Sequence, residues 1–157
     1  MANQPRALII GGSVGGLFAA NLLRATGWDV TVFERASEDL AGRGAAIGVT
    51  EELFGVLRRI GVRLDTSAGV AVRSIIALDR AGRITHDVPR RPVTDAWARI
   101  YRPLKEALPS QYFRPATTLA RVEQDADSVI AIFVFRIVSG TSGAPGNRVA
   151  VSTSAAA

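Results

Sequence analysis

The sequence predicts an α/β fold: a parallel βαβ unit at the N-terminal end with β-hairpins added after it. Three observations carry this. A continuous apolar run, Ala7 to Ile10, stops at a glycine pair, the pattern of a strand buried on both faces. A helical period follows at once and leads into an alternating run, completing a unit of about 30 residues. Further along, two pairs of alternating runs flank short polar turns, the mark of hairpins.

Each element can be argued from its residues. Val14 to Thr26 repeats Leu17, Ala20, Leu23 and Arg24 at helical spacing, and Gly27 stands where a helix C-cap belongs. Asp29 to Glu34 (DVTVFE) alternates as a second strand. Residues 36–48 are expected to be a loop, with glycines at 42, 44 and 48. Thr50 is placed to cap a helix running to about Ile60, with Leu53, Val56, Leu57 and Ile60 as its apolar stripe and Gly61 at its end. Val72 to Asp79 and Arg83 to Val88 predict a hairpin around Arg80-Ala81-Gly82. Tyr101 to Leu108 predicts a short helix with Pro103 in its first turn. Thr118 to Glu123 and Val129 to Phe135 predict a second hairpin, joined through residues 124–128. The domain expectation is therefore one partial α/β domain over 1–135, with a hairpin insertion near 72–99. Residues 136–157, rich in Ser, Thr, Gly and Ala, are expected to be irregular. Only Arg148 to Val151 (RVAV) has any strand character there, as a weak substitute beside the first strand.

Composition removes several functions. The 157 residues include no cysteine and one histidine, His86, so thiolate metal sites, disulfides, cysteine nucleophiles and multi-histidine centres are excluded. No run approaches the roughly 20 apolar residues of a membrane helix, and the first residues lack the pattern of a secretory signal. The expected setting is the cytoplasm, without a membrane. Net charge is +5. The basic residues are scattered arginines, with Lys105 the only lysine, so a solvated surface is expected rather than a nucleic-acid partner.

The chemistry lies in Gly11-Gly12-Ser13-Val14-Gly15-Gly16, between strand and helix. A dinucleotide-binding turn needs a first glycine for the bend, a small second residue for approach to a pyrophosphate, and a third glycine for close helix packing. Those places fall on Gly11, Ser13 and Gly16. The helix N-terminus offers unpaired N–H groups to the diphosphate. Glu34 ends the second strand 18 residues after Gly16, near the usual spacing of roughly 20 for a ribose-binding carboxylate. His86, Trp28, Trp97 and the Glu51-Glu52 pair read as surface, packing and helix-dipole residues; no catalytic residue and no metal ligand is assigned.

ALIIGGSVGGLFAANLLRATGWDVTVFERA resembles the N-terminal fingerprint of the single-component, FAD-dependent aromatic-ring hydroxylases, and is most similar to the 2,6-dihydroxypyridine hydroxylase-like members. Gly42 to Ile47 and Trp97 to Leu108 resemble two later segments of that family, so the likeness spans roughly 5–135. The resemblance implies a Rossmann-like FAD-binding βαβ fold, incomplete relative to the family, since its later Asp-Gly and Gly-Asp motifs do not occur here. It implies that Gly11, Ser13, Val14 and Gly16 line the pyrophosphate, that Glu34 holds the adenosine ribose, and that Arg35 lies near the adenine. It further implies Arg43 toward the pyrophosphate or flavin side, Val122 beside the adenine through its backbone, and either Tyr101 or Arg102 at the cofactor. The implied activity of the whole family is NAD(P)H- and O2-dependent hydroxylation of a small aromatic or N-heterocyclic ring. This chain is expected to be inactive alone. Two other readings stay open: a non-catalytic ADP-binding or nucleotide-binding module, and an NAD-binding Rossmann protein of another class.

Overall fold

A computed structural model describes residues 4–44, 46–65, 67, 69–89, 93–126, 128–135 and 148–154. The chain divides into two compact units, residues 41–103 and the remainder.

In the first unit, β1 (Arg6–Ile10), α1 (Val14–Ala25) and β2 (Asp29–Phe33) form the expected βαβ unit. β1 and β2 are parallel, in register from Arg6 opposite Asp29 to Ile10 opposite Phe33. Leu17 and Ala20 are fully buried on the face of α1 that its period marks. Gly27 ends the helix at φ +87°. Much later in the chain, β8 (Phe113–Arg114) adds a parallel strand beside β2, giving the order β1-β2-β8. The second predicted hairpin is present as β9 (Thr117–Gln124) and β10 (Ser128–Phe135).

The expectation of an irregular stretch over 136–157 does not hold for Arg148–Ser154. These residues form β11, which pairs antiparallel with β10 rather than beside β1. Backbone pairing on the open edge of β10 outweighs the poor strand propensity of Ser and Ala there. Residues 136–147 and 155–157 lie outside the described residues. The three-strand sheet β11-β10-β9 packs on β1 and β2 through one apolar cluster. Phe33, Ala131 and Phe133 form its centre, with Leu8, Leu119 and Val151 against them. The Phe33 and Phe133 rings stack at 4.1 Å.

In the second unit, α2 (Glu51–Arg59) is capped as predicted, the Thr50 hydroxyl accepting the Leu53 N–H at 3.4 Å. The first predicted hairpin is β5 (Ser74–Leu78) with β6 (Ile84–Pro89). The expected loop over 36–48 is corrected in part: Ala46–Val49 form β3, the edge of a sheet ordered β3-β7-β4, with β7 at Val93–Ala96 and β4 at Val70–Ala71. The helix expected at Tyr101 begins earlier, so α3 is Trp97–Ala107 and Pro103 lies inside it. A proline there removes one intrahelical N–H. α3 carries the chain from the second unit back to the first. No helix among the described residues is long and apolar enough to cross a membrane.

Candidate functional site

The turn after β1 is built by backbone needs. Gly11 adopts φ +102°, a region that L side chains avoid, and its N–H donates to the Phe33 carbonyl at 2.8 Å. A Cβ on Gly16 would collide with the Gly11 carbonyl, so the third glycine is required for the helix to approach the strand. Ser13 is the exposed N-cap of α1 and no side chain caps the helix there. Its carbonyl accepts the Leu17 N–H at 2.9 Å, which leaves the N–H groups at the start of the helix without intrahelical partners. A Cβ on Gly15 would meet nothing within 4 Å, so open space lies over that end. Val14, the first residue of α1, is buried.

Glu34 is 8% exposed at the end of β2. Its Oε2 accepts the Gly12 N–H at 2.7 Å and its Oε1 accepts the Ala36 N–H at 2.8 Å. Its own backbone is held by the Arg114 carbonyl and the Thr117 N–H, at 2.9 and 2.8 Å. The carboxylate is thus fixed directly against the glycine turn, with lone pairs remaining for a further donor. Arg35, next in the chain, is exposed. Val122 is exposed on β9, opposite Ala131 of β10.

Four contributors to this region escaped the sequence reading. Gly12 supplies the N–H to Glu34. Phe113 packs its ring against Gly12, Cζ lying 2.5 Å from where a Cβ would stand. Asn21, buried, donates to the carbonyls of Leu17 and Leu104 at 2.9 and 3.0 Å, tying α1 to the end of α3. Lys105 sits over the Phe113 ring. Burial pushes its ammonium down to about 8, against the opposing pull of the Asp39 and Glu34 carboxylates. A side chain met only through tertiary packing carries no local signal; the one hint at Lys105 was its being the sole lysine.

The remaining predicted residues lie in the second unit. Arg43 is exposed after the turn at Leu40–Gly42. Tyr101 is buried, its ring stacked on Trp97 at 4.6 Å, whereas Arg102 is exposed. Trp97 also lies where a Cβ on Gly44 would need to be, which makes it a packing residue. Asp95, buried, pairs with Arg99 at 2.9 Å. His86 is exposed on β6.

The family described as FAD binding domain matches residues 5–141. The chain belongs to that family. It is 34% identical over 125 residues to 2,6-dihydroxypyridine 3-monooxygenase of Paenarthrobacter nicotinovorans, covering 79% of this chain and 31% of the relative. It is 31% identical over 137 residues to 3-amino-4-hydroxybenzoate 2-monooxygenase of Streptomyces cremeus, covering 79% and 34%. Among solved structures, 2,6-dihydroxypyridine-3-hydroxylase from Arthrobacter nicotinovorans superposes with a TM-score of 0.65 at 30% identity, over 96% of this chain and 36% of that one. The chain thus spans about a third of the length of these relatives, and what the match shows of it is an FAD binding domain.

The residues present fit the adenosine diphosphate end of FAD. The uncapped helix end faces open space at Gly15. The fixed Glu34 carboxylate keeps acceptor capacity beside it.

Proposed function

We propose that the first unit holds the adenosine diphosphate moiety of FAD for a monooxygenase that hydroxylates a small aromatic or N-heterocyclic ring, with NAD(P)H as reductant, in the cytoplasm. The observation that carries the reading is the buried Glu34 carboxylate held against the N–H of Gly12, next to an uncapped helix start. In this reading Gly11, Ser13, Val14 and Gly16 surround the diphosphate, whose charge is met by N–H groups and the positive end of the helix dipole. Glu34 accepts from the adenosine ribose. Arg35 and the Val122 backbone lie toward the adenine. The proposal rests on the first unit alone and assigns no contact to Arg43, Tyr101 or Arg102. FAD itself supplies the redox and oxygen-activating chemistry; these residues bind and orient its nucleotide end. The ring class comes from the relatives, which act on a dihydroxypyridine and an aminohydroxybenzoate.

The test is calorimetric titration of the chain with ADP-ribose. The wild type should bind, and Glu34→Ala should lose about 1.5–3 kcal/mol, the worth of a hydrogen bond to a charged group. Equal affinity for the two would remove Glu34 from the site. Because the chain spans a third of its relatives, no substrate-stimulated NAD(P)H oxidation is expected of it alone; such oxidation would assign it the complete reaction.

A further inference from the structure

We propose that Lys105 is a positioning residue for the nucleotide diphosphate: its cation offsets the Glu34 and Asp39 carboxylates, so that a doubly negative ligand can settle beside them. The proposal rests on the reading of the Gly11–Gly16 turn and Glu34 as the dinucleotide site.

Four groups form a stack through the first unit. The Lys105 ammonium lies over the Phe113 ring. The same ring presses on Gly12, and the Gly12 N–H binds Glu34 at 2.7 Å. Lys105 comes from the last turn of α3, Phe113 from β8, Gly12 from the turn and Glu34 from the end of β2. The charged groups acting on Lys105 are the Asp39 and Glu34 carboxylates. Among the described residues Lys105 makes no direct ion pair. Its charge is near the carboxylates without being consumed by either.

The electrostatic need is plain. A dinucleotide diphosphate brings two negative charges to a place already holding a buried carboxylate and a second one nearby. The helix end offers only about half a positive charge. A full cation behind Phe113 offsets one of the two carboxylates and lowers the negative excess that the ligand meets, in a half-buried setting where screening by salt is weak. A guanidinium keeps its charge through the neutral and mildly alkaline range. Lys105, lowered to about 8, does not, and this gives the proposal its signature. Anion binding favours the protonated form, so affinity should be highest below that value and fall as pH rises through it.

The experiment has two arms on the full chain. Calorimetry with ADP-ribose from pH 7 to pH 9 should show the wild-type Kd rising about fivefold as the ammonium is lost. Lys105→Met should bind several-fold more weakly at pH 7 with a flat profile, and Lys105→Arg should bind tightly with a flat profile. In the second arm, acetic anhydride labels the only lysine and peptide mapping reads it. ADP-ribose should slow acetylation of wild-type Lys105 at least threefold at pH 8, a readout that needs no variant to fold. A Lys105→Met profile matching wild type, or acetylation unaffected by bound ADP-ribose, overturns the proposal while leaving Glu34 in place. A wild type that fails to bind ADP-ribose at all overturns the site reading and this proposal with it.

Discussion

The Gly11–Gly16 turn and the β5–β6 ribbon are both plain in the sequence, yet they finish in opposite states. At the turn, contacts close on all but the open side over Gly15: Gly16 meets the Gly11 carbonyl, Phe113 meets Gly12, and both Glu34 oxygens are bonded. The ribbon is well tied at its own end, where the Asp79 carboxylate accepts from the N–H groups of Ala81 and Arg83 at 2.8 and 2.9 Å and from Arg83 Nε at 2.8 Å. Its apolar side chains are nonetheless open to solvent, with Ile75, Ile76, Leu78, Ile84 and Val88 between 46% and 61% exposed. Ile75 and Ile76 are adjacent and so point to opposite faces. The difference teaches that alternation and turn residues specify pairing, whereas burial depends on what else packs there. A two-stranded ribbon gains little from pairing alone.

That contrast can be broken by substitutions that load each region in turn. The largest effect is expected of Gly16→Val, which drives a side chain into the Gly11 carbonyl. Overpacking against backbone should cost about 3 kcal/mol or more, read as a lower urea midpoint by circular dichroism. An unchanged midpoint would mean the helix can back away from β1. Asn21→Ala comes next, since it strips the Leu104 carbonyl of a buried donor; a loss of about 2 kcal/mol is expected in the same assay. In the second unit, Thr50→Ala removes the α2 cap and should cost about 1 kcal/mol. Ile84→Thr on the exposed ribbon should stay within about 0.5 kcal/mol, and a larger loss would show that its exposed face is packed in solution.

The pH dependence of Lys105 gives a sign rather than a size. Its ordinary value is 10.5 and the folded chain lowers it to about 8. Between those values the unfolded chain binds more protons, so unfolding free energy rises with pH across that window. The penalty is fully present below about 8. Lys105→Met should therefore gain stability over wild type at pH 7, and the gain should vanish near pH 10.5. A constant difference across that range would contradict the assignment. Taken with the binding proposal, this makes Lys105 a residue that costs stability where it serves the ligand.

The legible part of the fold was the part with local causes. β1, α1 and β2 follow from one apolar run, one helical period and one alternation, and Thr50 announced its helix. The β3-β7-β4 sheet was not legible. Ala46–Val49 looks like loop because it follows a stretch with glycines at 42, 44 and 48, and its strand partner lies nearly fifty residues on, at Val93–Ala96. β11 was hidden in the same way, since its pairing with β10 comes from tertiary context and not from propensity. At the candidate site, spacing picked out Gly11, Ser13, Gly16 and Glu34. It could not show that the residue between the first two, Gly12, binds Glu34, nor that α3 and β8 bring Lys105 and Phe113 to the turn.

The doubly bonded Glu34 carboxylate has a consequence for selection. Both oxygens are anchored to main-chain N–H groups, so the side chain has surrendered its rotational freedom before any ligand arrives, and a visitor must conform to it. A carboxylate so immobilised accepts and does not donate. In the proposed role it welcomes a sugar with free hydroxyls and repels one whose 2′-oxygen carries a phosphate. The same two hydrogen bonds that finish the turn would then act as a filter, admitting adenosine diphosphate groups of the FAD and NAD type and turning away those of NADP.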